Sequence, residues 1–448
     1  MSRTALTAIL LVLALSLAAC SDSPKSVAPP PDSNGVFTLS LGTSAVSVSE
    51  GAGAASISLS IARDSGHTLP INLEAETLNG ADAKNLRWEF QDEQLTSNEN
   101  STAMLLMLDI GVAPLPPVPN QRQIRIVASD GTNAPVQSTV TLDITPTDRP
   151  DIYLLAGQSN MVGFSEDGSK KSAAGQLDAV NSRIFQLNVT GNDQEHFKTA
   201  GDFTDPAQIA VPDPRYTPAV DPLHEGFDTL IQDKMGSKIG LGLKFAKESL
   251  PNTTADIYLV PAAWSDTGFC RRETNLVEGL GWLPVAPPTS SAFTGTLLHD
   301  RALARLNLVL SETDGILRGI LWHQGEGDSD DAACAAAYTS NLQAFVASIR
   351  TNATVDARGP SGRGPTVNIP LVVGTMSAAV GAFPDLKQQV DDALRTVGSN
   401  IPFSDVVLTD DLIPPAYDCG DGCVHYGAES YREMGTRYAE KLRAIQQR

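Results

Sequence analysis

Two kinds of hydrophobic patterning divide this chain. Between residue 35 and residue 147 apolar and polar positions alternate. Val36-Phe37-Thr38-Leu39-Ser40-Leu41, Ala55-Ser56-Ile57-Ser58-Leu59-Ser60-Ile61 and Ser138-Thr139-Val140-Thr141-Leu142-Asp143-Ile144 all repeat every second residue. A period of two, rich in Thr and Val and punctuated by Gly and Asn, predicts half-buried antiparallel strands. Several such strands close together predict a small all-β sandwich. From Asp151 the pattern changes. Unbroken apolar runs predict buried strands at Ile152–Ala156, Ile257–Val260, Gly319–Trp322, Leu371–Thr375 and Val406–Leu408. Amphipathic periodicity predicts helices near 241–249, 297–311, 338–350, 386–397 and 428–446. Strands alternating with helices predict a three-layer α/β/α fold around a doubly wound parallel sheet. The segments 188–236 and 270–295 are expected as loops at the sheet's edge that shape a pocket. The joint Thr145-Pro146-Thr147-Asp148-Arg149-Pro150 separates the two patterns, so domains are expected over 35–147 and 148–448.

A third pattern precedes both. Arg3 is followed by the apolar run Ala8–Ala19, which is short for a membrane span. Residues 1–20 therefore read as an export signal. Its end, Leu17-Ala18-Ala19-Cys20, resembles a bacterial lipobox, which implies cleavage before Cys20 and lipidation of its thiol. Ser21 stands where an aspartate would favour inner-membrane retention. Residues 21–34 are rich in Ser, Pro and Asp and read as a flexible tether. The expected location is the cell envelope, lipid-anchored at the outer membrane and facing the periplasm or the surface. Membrane contact is expected only through the anchor on Cys20.

Composition narrows the partners. The formal net charge of −20 leaves no basic surface to neutralise phosphates, so nucleic acid is excluded, as is attraction to anionic lipid. Cys270, Cys334, Cys419 and Cys423 form an even set in an exported chain, which predicts disulfides. Cys419 and Cys423 are close enough to pair locally, which would leave Cys270 with Cys334. Three connectivities are possible, and spacing does not choose among them. No paired Cys-x-x-Cys and no His-Glu-x-x-His occurs, so no metal is expected. No phosphate loop or dinucleotide fingerprint appears, so no cofactor is expected either.

The chemistry concentrates where the strands of the second domain end. Asp151-Ile152-Tyr153-Leu154-Leu155-Ala156 breaks at Gly157 and presents Ser159. A strand ending in a glycine turn with a serine at its tip is how an α/β hydrolytic fold offers a nucleophile. Pro261-Ala262-Ala263-Trp264-Ser265-Asp266-Thr267-Gly268 follows the second strand, and His323-Gln324-Gly325-Glu326 follows the third. Open α/β sheets bind ligands outside the carboxyl ends of their strands, so the three segments belong to one site. A serine needs a base with a pKa near neutrality, and histidine supplies it. Of the six histidines, His67, His196, His224 and His299 lack a supporting pattern. His425 stands in Asp421-Gly422-Cys423-Val424-His425-Tyr426-Gly427, just before the last helix. In that helix Tyr431, Met434, Tyr438 and Leu442 recur at helical spacing and are expected in the core.

These blocks resemble those of the sialate O-acetylesterase and carbohydrate esterase family 6 branch of the SGNH hydrolases. The most specific is Gly157-Gln158-Ser159-Asn160-Met161, and the resemblance extends from Asp151 to the C-terminus. It implies a serine acetylesterase acting on an acetylated carbohydrate, such as sialic acid or a polysaccharide like xylan. It implies Ser159 as nucleophile, His425 as base, and an Asp-x-x-His element supplying the orienting acid. Here Gly422 occupies the position three before His425, so Asp421 takes that role, with Asp418 as runner-up. The implied oxyanion donors are the Ser159 backbone, the Ser265 turn in place of Gly-Gly-Thr, and the Gln324 amide in place of Asn. Glu326 matches the family's glutamate and is expected to support the site.

Val46-Ser47-Val48-Ser49-Glu50-Gly51 resembles Calx-β and cadherin-like modules. Only Trp88 offers a large aromatic platform in that domain, so a spacer is favoured there over a carbohydrate-binding module. Two rival functions are a carbohydrate-binding surface lipoprotein with a degenerate hydrolase domain and an SGNH lipase or thioesterase.

Overall fold

A computed structural model describes residues 35–78, 86–109, 121–163, 177–189, 214–224, 239–265, 267–270, 281–284, 298–353, 369–378, 384–412 and 424–447. Cys20, Asp266, Asp418, Cys419, Asp421 and Cys423 lie outside the described residues.

The alternating segments form strands β1 (Phe37–Leu41), β2 (Ala45–Ser49), β3 (Ala55–Arg63), β4 (Ile71–Thr77), β5 (Leu86–Phe90), β6 (Gln94–Leu95), β7 (Ser101–Leu108), β8 (Gln121–Ser129) and β9 (Val136–Thr145). They make two sheets, ordered β1-β3-β7-β5 and β2-β9-β8-β4-β6. All ladders but one are antiparallel; β2 runs parallel to β9. The period-two pattern turns one face of each strand inward, and Ile57, Leu59 and Leu106 of one sheet share a core with Ile124 and Val140 of the other. That core ends at Ile144, and a separate core begins at Ile152.

The second core surrounds a seven-stranded sheet of β10 (Asp151–Gly157), β11 (Ile184–Leu187), β12 (Tyr216–Pro218), β13 (Ile257–Ala263), β14 (Ile316–His323), β15 (Leu371–Gly374) and β16 (Ser404–Val407). The strand order is β12-β11-β13-β10-β14-β15-β16. Every pair is parallel except β11 with β12. β10 and β14 are buried at every position, as expected of parallel strands covered on both faces. β11 and β12 were not anticipated: they are short, β12 falls inside the segment expected as a loop, and β12 sits at the sheet's edge.

The helices are α1 (Ser159–Val162), α2 (Gly242–Ser249), α3 (Leu298–Thr313), α4 (Ala332–Asn352), α5 (Pro384–Arg395), α6 (Val397–Asn400) and α7 (Ala428–Gln446). α4 begins six residues ahead of the expected 338 because Asp331 caps it, accepting hydrogen bonds from Ala333 and Cys334. Alanine runs give helix without amphipathic period, so the pattern hid that first stretch. Among the described residues no helix is long and apolar enough to cross a membrane.

Register sets the level of the site. Gly157 at the end of β10 lies beside Ala263 of β13 and His323 of β14. That alignment depends on an irregularity near the strands' beginnings. Ile152 pairs with Leu317 but Tyr153 pairs with Gly319, so Arg318 is an extra residue on β14. Arg318 is fully buried and its Nε donates to Asp151 Oδ1 at 2.6 Å.

Candidate active site

The turn after β10 is pinned from both neighbouring strands. Trp264 N–H donates to the Gly157 carbonyl at 3.0 Å, and Gln158 N–H donates to the His323 carbonyl at 2.9 Å. Gly157 has φ of +138°, and a Cβ there would lie 2.2 Å from the His323 oxygen. Only glycine meets both conditions. Ser159 then opens α1 with 6 % exposure.

Asn160, the next residue, is the junction of the site. Its Nδ2 donates to Glu326 Oε1 at 2.8 Å and to the Val424 carbonyl at 2.9 Å. Its Oδ1 accepts from the Tyr431 hydroxyl at 2.7 Å. Val424 immediately precedes His425, which is partly exposed. One amide thus ties the Ser159 helix, the Glu326 segment and the His425 segment together across 264 residues of chain. Gln158 adds a second tie, its Oε1 accepting from Gly327 N–H at 3.1 Å. The tyrosines of α7 are core residues as expected, yet two of their hydroxyls also serve the site. Tyr431 holds Asn160, and Tyr438 Oη donates to the Trp322 carbonyl at 2.8 Å.

Tyr438 also bears on whether His323 can be a base. With its proton committed to Trp322, its oxygen accepts from His323 Nδ1 at 3.0 Å. His323 is fully buried, its Nε2 has no hydrogen-bond partner among the described residues, and burial lowers its pKa to about 3. It stays neutral and out of reach of substrate. Because this folded value lies below the ordinary 6.5, the stability linked to neutral burial is complete above about pH 6.5. It is lost as pH falls toward the folded value, by about 1.4 kcal/mol per pH unit. The expected result is an imidazole whose NMR signals do not titrate between about pH 5 and about pH 8. A transition near pH 6.5 would show this geometry to be wrong.

Glu326 receives the Asn160 amide on Oε1, while Oε2 is buried without a partner among the described residues. Burial raises its pKa above the usual carboxylate value, against the opposing pull of its hydrogen bonds.

The Gln324 amide differs from expectation. It is fully buried, and its Nε2 donates to the Thr267 carbonyl at 3.1 Å and to Asp328 Oδ2 at 2.8 Å. Both N–H bonds are spent, so the structure does not offer this amide to an oxyanion. Gln324 instead braces the turn that carries Ser265. Asp328 completes the brace: its carboxylate accepts Phe269 N–H at 3.0 Å and Cys270 N–H at 3.1 Å. The disulfide Cys270–Cys334, with Cα atoms 5.7 Å apart, closes the same loop onto α4. That pair is the one left over if Cys419 and Cys423 bond locally. Asp328 also groups with the two sulfurs in a metal-like cluster, but the sulfurs are bonded to each other.

Ser265 leaves β13 two residues beyond Ala263, as Ser159 leaves β10 two residues beyond its partner Gly157. Its Oγ is buried without a hydrogen-bond partner among the described residues. Thr267 Oγ1 donates to the Trp264 carbonyl at 2.7 Å and accepts from Trp282 Nε1 at 3.0 Å, which fixes the turn over a buried aromatic floor.

The structure therefore brings Ser159, Ser265, Glu326 and the segment of His425 to one end of the sheet and keeps the Gln324 amide beneath it. The sequence reading missed Asn160 and Asp328. Both sit inside motifs already singled out, but nothing in a one-dimensional pattern marks a bond to Val424 or to Phe269.

A sequence-family model described as a carbohydrate esterase, sialic acid-specific acetylesterase, matches residues 149–444. No curated protein matches the chain. Among solved structures, an Arabidopsis thaliana protein is 20% identical with a TM-score of 0.45, covering 66% of this chain and 98% of its own. NanS is 16% identical with a TM-score of 0.44, covering 66% and 97%. A carbohydrate acetylesterase from Xanthomonas citri is 15% identical with a TM-score of 0.41, covering 89% and 72%.

Proposed function

Because this chain belongs to the sialic acid-specific acetylesterase family of carbohydrate esterases, and is a carboxylic ester hydrolase, we propose that it removes O-acetyl groups from a carbohydrate with Ser159 as nucleophile and His425 as base. His425 takes the Ser159 proton as Oγ attacks the acetyl carbonyl carbon. The bond from that carbon to the sugar oxygen then breaks, and the imidazolium returns the proton to the leaving hydroxyl. Water, deprotonated by His425, attacks the acetyl-enzyme and releases acetate. The developing oxyanion is met by the Ser159 N–H and the backbone of the Ser265 turn, while Gln324 and Asp328 hold that turn still. Asp421 is the carboxylate we assign to orient His425. We further read the catalytic domain, 148–448, as an SGNH-type three-layer doubly wound fold. The domain at 35–147 is read as a β-sandwich spacer, and Cys20 as a lipid anchor that holds the enzyme at the cell envelope.

The observation that carries the reading is the Asn160 amide, bonded at once to the Glu326 carboxyl and to the backbone beside His425. A fluorophosphonate probe is expected to label the protein at Ser159, and p-nitrophenyl acetate is expected to be cleaved faster than longer acyl esters. A protein that reacts with neither is not a serine esterase; one that prefers long chains is a lipase or thioesterase.

Asn160→Ala tests the junction directly. Displacing reacting groups by about 1 Å typically costs about 10²-fold, so kcat should fall by that order while KM for p-nitrophenyl acetate holds. Losing three hydrogen bonds to buried groups should also cost about 1–3 kcal/mol of stability. A kcat equal to wild type would remove Asn160 from the positioning of His425.

A further inference from the structure

A cavity of about 350 Å³ lies beside the proposed site, at the carboxyl ends of β15 and β16. Its walls include Ser377 after β15, Asp410 after β16, and Lys387, Gln388, Asp391 and Arg395 from one face of α5. Its floor residue Met376 touches the Glu326 segment, since a Cβ added at Gly325 would lie 2.8 Å from the Met376 sulfur. In the sheet order β14 separates β10 from β15, so the cavity sits two strand spacings from the Ser159 strand. At about 4.8 Å per spacing, that is roughly 10 Å. An open α/β sheet binds ligands at this end of its strands.

The charges of the cavity are internally satisfied. Arg395 Nε donates to Asp391 Oδ2 at 2.6 Å, and its two terminal nitrogens grip Asp410 at 3.1 Å and 2.5 Å. Lys387 Nζ donates to the Ser377 carbonyl and lies within electrostatic reach of Glu326 and Asp391. Two cations thus stand among three carboxylates. An anion entering here would find both cations already engaged and one more carboxylate than cation around it. Hydroxyl groups would fare differently, because paired carboxylates keep lone pairs for O–H donors and the Gln388 carbonyl oxygen adds an acceptor. No aromatic ring lines the cavity among the described residues, so recognition would run through hydrogen bonds rather than stacking.

We propose that this cavity is a subsite for an uncharged sugar unit of the glycan, one removed from the unit whose acetyl ester faces Ser159. The proposal rests on the esterase reading, and it selects a neutral polyhydroxylated chain over an acidic sugar for this position. The subsite supplies binding energy away from the reacting bond.

The test uses the full chain carrying Ser159→Ala, so that binding is read without turnover. Titration by calorimetry or NMR with neutral tetrasaccharides (of xylose, glucose and mannose) is compared with N-acetylneuraminic acid. At least one neutral tetrasaccharide is expected to bind, with its dissociation constant raised about tenfold by Gln388→Ala and by Ala378→Trp, which fills the cavity from an exposed position. These are the costs of one or two hydrogen bonds and of a blocked site. Binding of N-acetylneuraminic acid that depends on Gln388 would overturn the proposal. So would neutral binding indifferent to both substitutions, or no neutral binding at all. Wild-type turnover of p-nitrophenyl acetate is measured alongside; its absence would defeat the esterase reading and leave the binding result standing on its own.

Discussion

Ser159→Ala is expected to lower kcat on p-nitrophenyl acetate by roughly 10⁴–10⁶-fold, with the melting temperature unchanged. Removing the nucleophile of a serine hydrolase leaves only what substrate binding and oxyanion stabilisation provide. Stability should survive because, among the described residues, the bonds that hold this turn do not use the hydroxyl. Gly163 N–H bonds the Ser159 carbonyl at 2.9 Å, and the preceding turn is held by the backbones of Trp264 and His323. Alanine keeps all of these. Steady-state kinetics beside a thermal melt checks the pair of outcomes. Activity retained within about tenfold would place the nucleophile elsewhere.

The largest expected effect on stability belongs to the other end of the same strand. Arg318→Ala should cost about 3–5 kcal/mol, because it leaves the Asp151 carboxylate buried without its cation. Arg318 and Asp151 are 1 % and 0 % exposed. The guanidinium's pKa is raised despite the cost of burial, by the negative charges of Asp151 and Glu50 and by the Asp151 hydrogen bond. A domain of ordinary stability, about 5–15 kcal/mol, would lose a large share of it. Replacing both partners by apolar residues, Asp151→Leu with Arg318→Met, should recover most of the loss. Urea midpoints of the two variants beside wild type read this out. A single variant as stable as wild type would mean the pair is not an anchor. Because Arg318 is also the extra residue that sets the β10–β14 register, esterase activity should be lost along with the fold rather than before it.

The central strands were legible because burial on both faces writes itself as a continuous apolar run. Expected Ile152–Ala156 became Asp151–Gly157, and expected Gly319–Trp322 became Ile316–His323. The extension of β14 includes Arg318, a charged residue that no periodicity places inside a core. β11 and β12 were lost for the opposite reason: strands of only three or four residues carry too little pattern to separate from loop. Expected 386–397 ran past its end, since α5 stops at Arg395 and a separate turn of helix follows.

The motifs fall at the ends of β10, β13 and β14, but their side-chain partners were not legible in them. Gln324 was legible as a primary amide at the end of β14, which invites the part of an oxyanion donor. Its actual partners, Thr267 and Asp328, come from another strand's loop and from four residues downstream. Asn160 was legible only as the neighbour of Ser159.

What the amino-acid sequence determined alone was the kind of chemistry and the order of the central strands and long helices. Residue type limits which groups can attack, accept protons or donate hydrogen bonds, and hydrophobic period follows from backbone geometry over a few neighbouring residues. What only the tertiary structure decided was which donor meets which acceptor. A hydrogen bond is satisfied within about 3 Å, and Asn160 meets Val424 only after a whole sheet has been assembled between them.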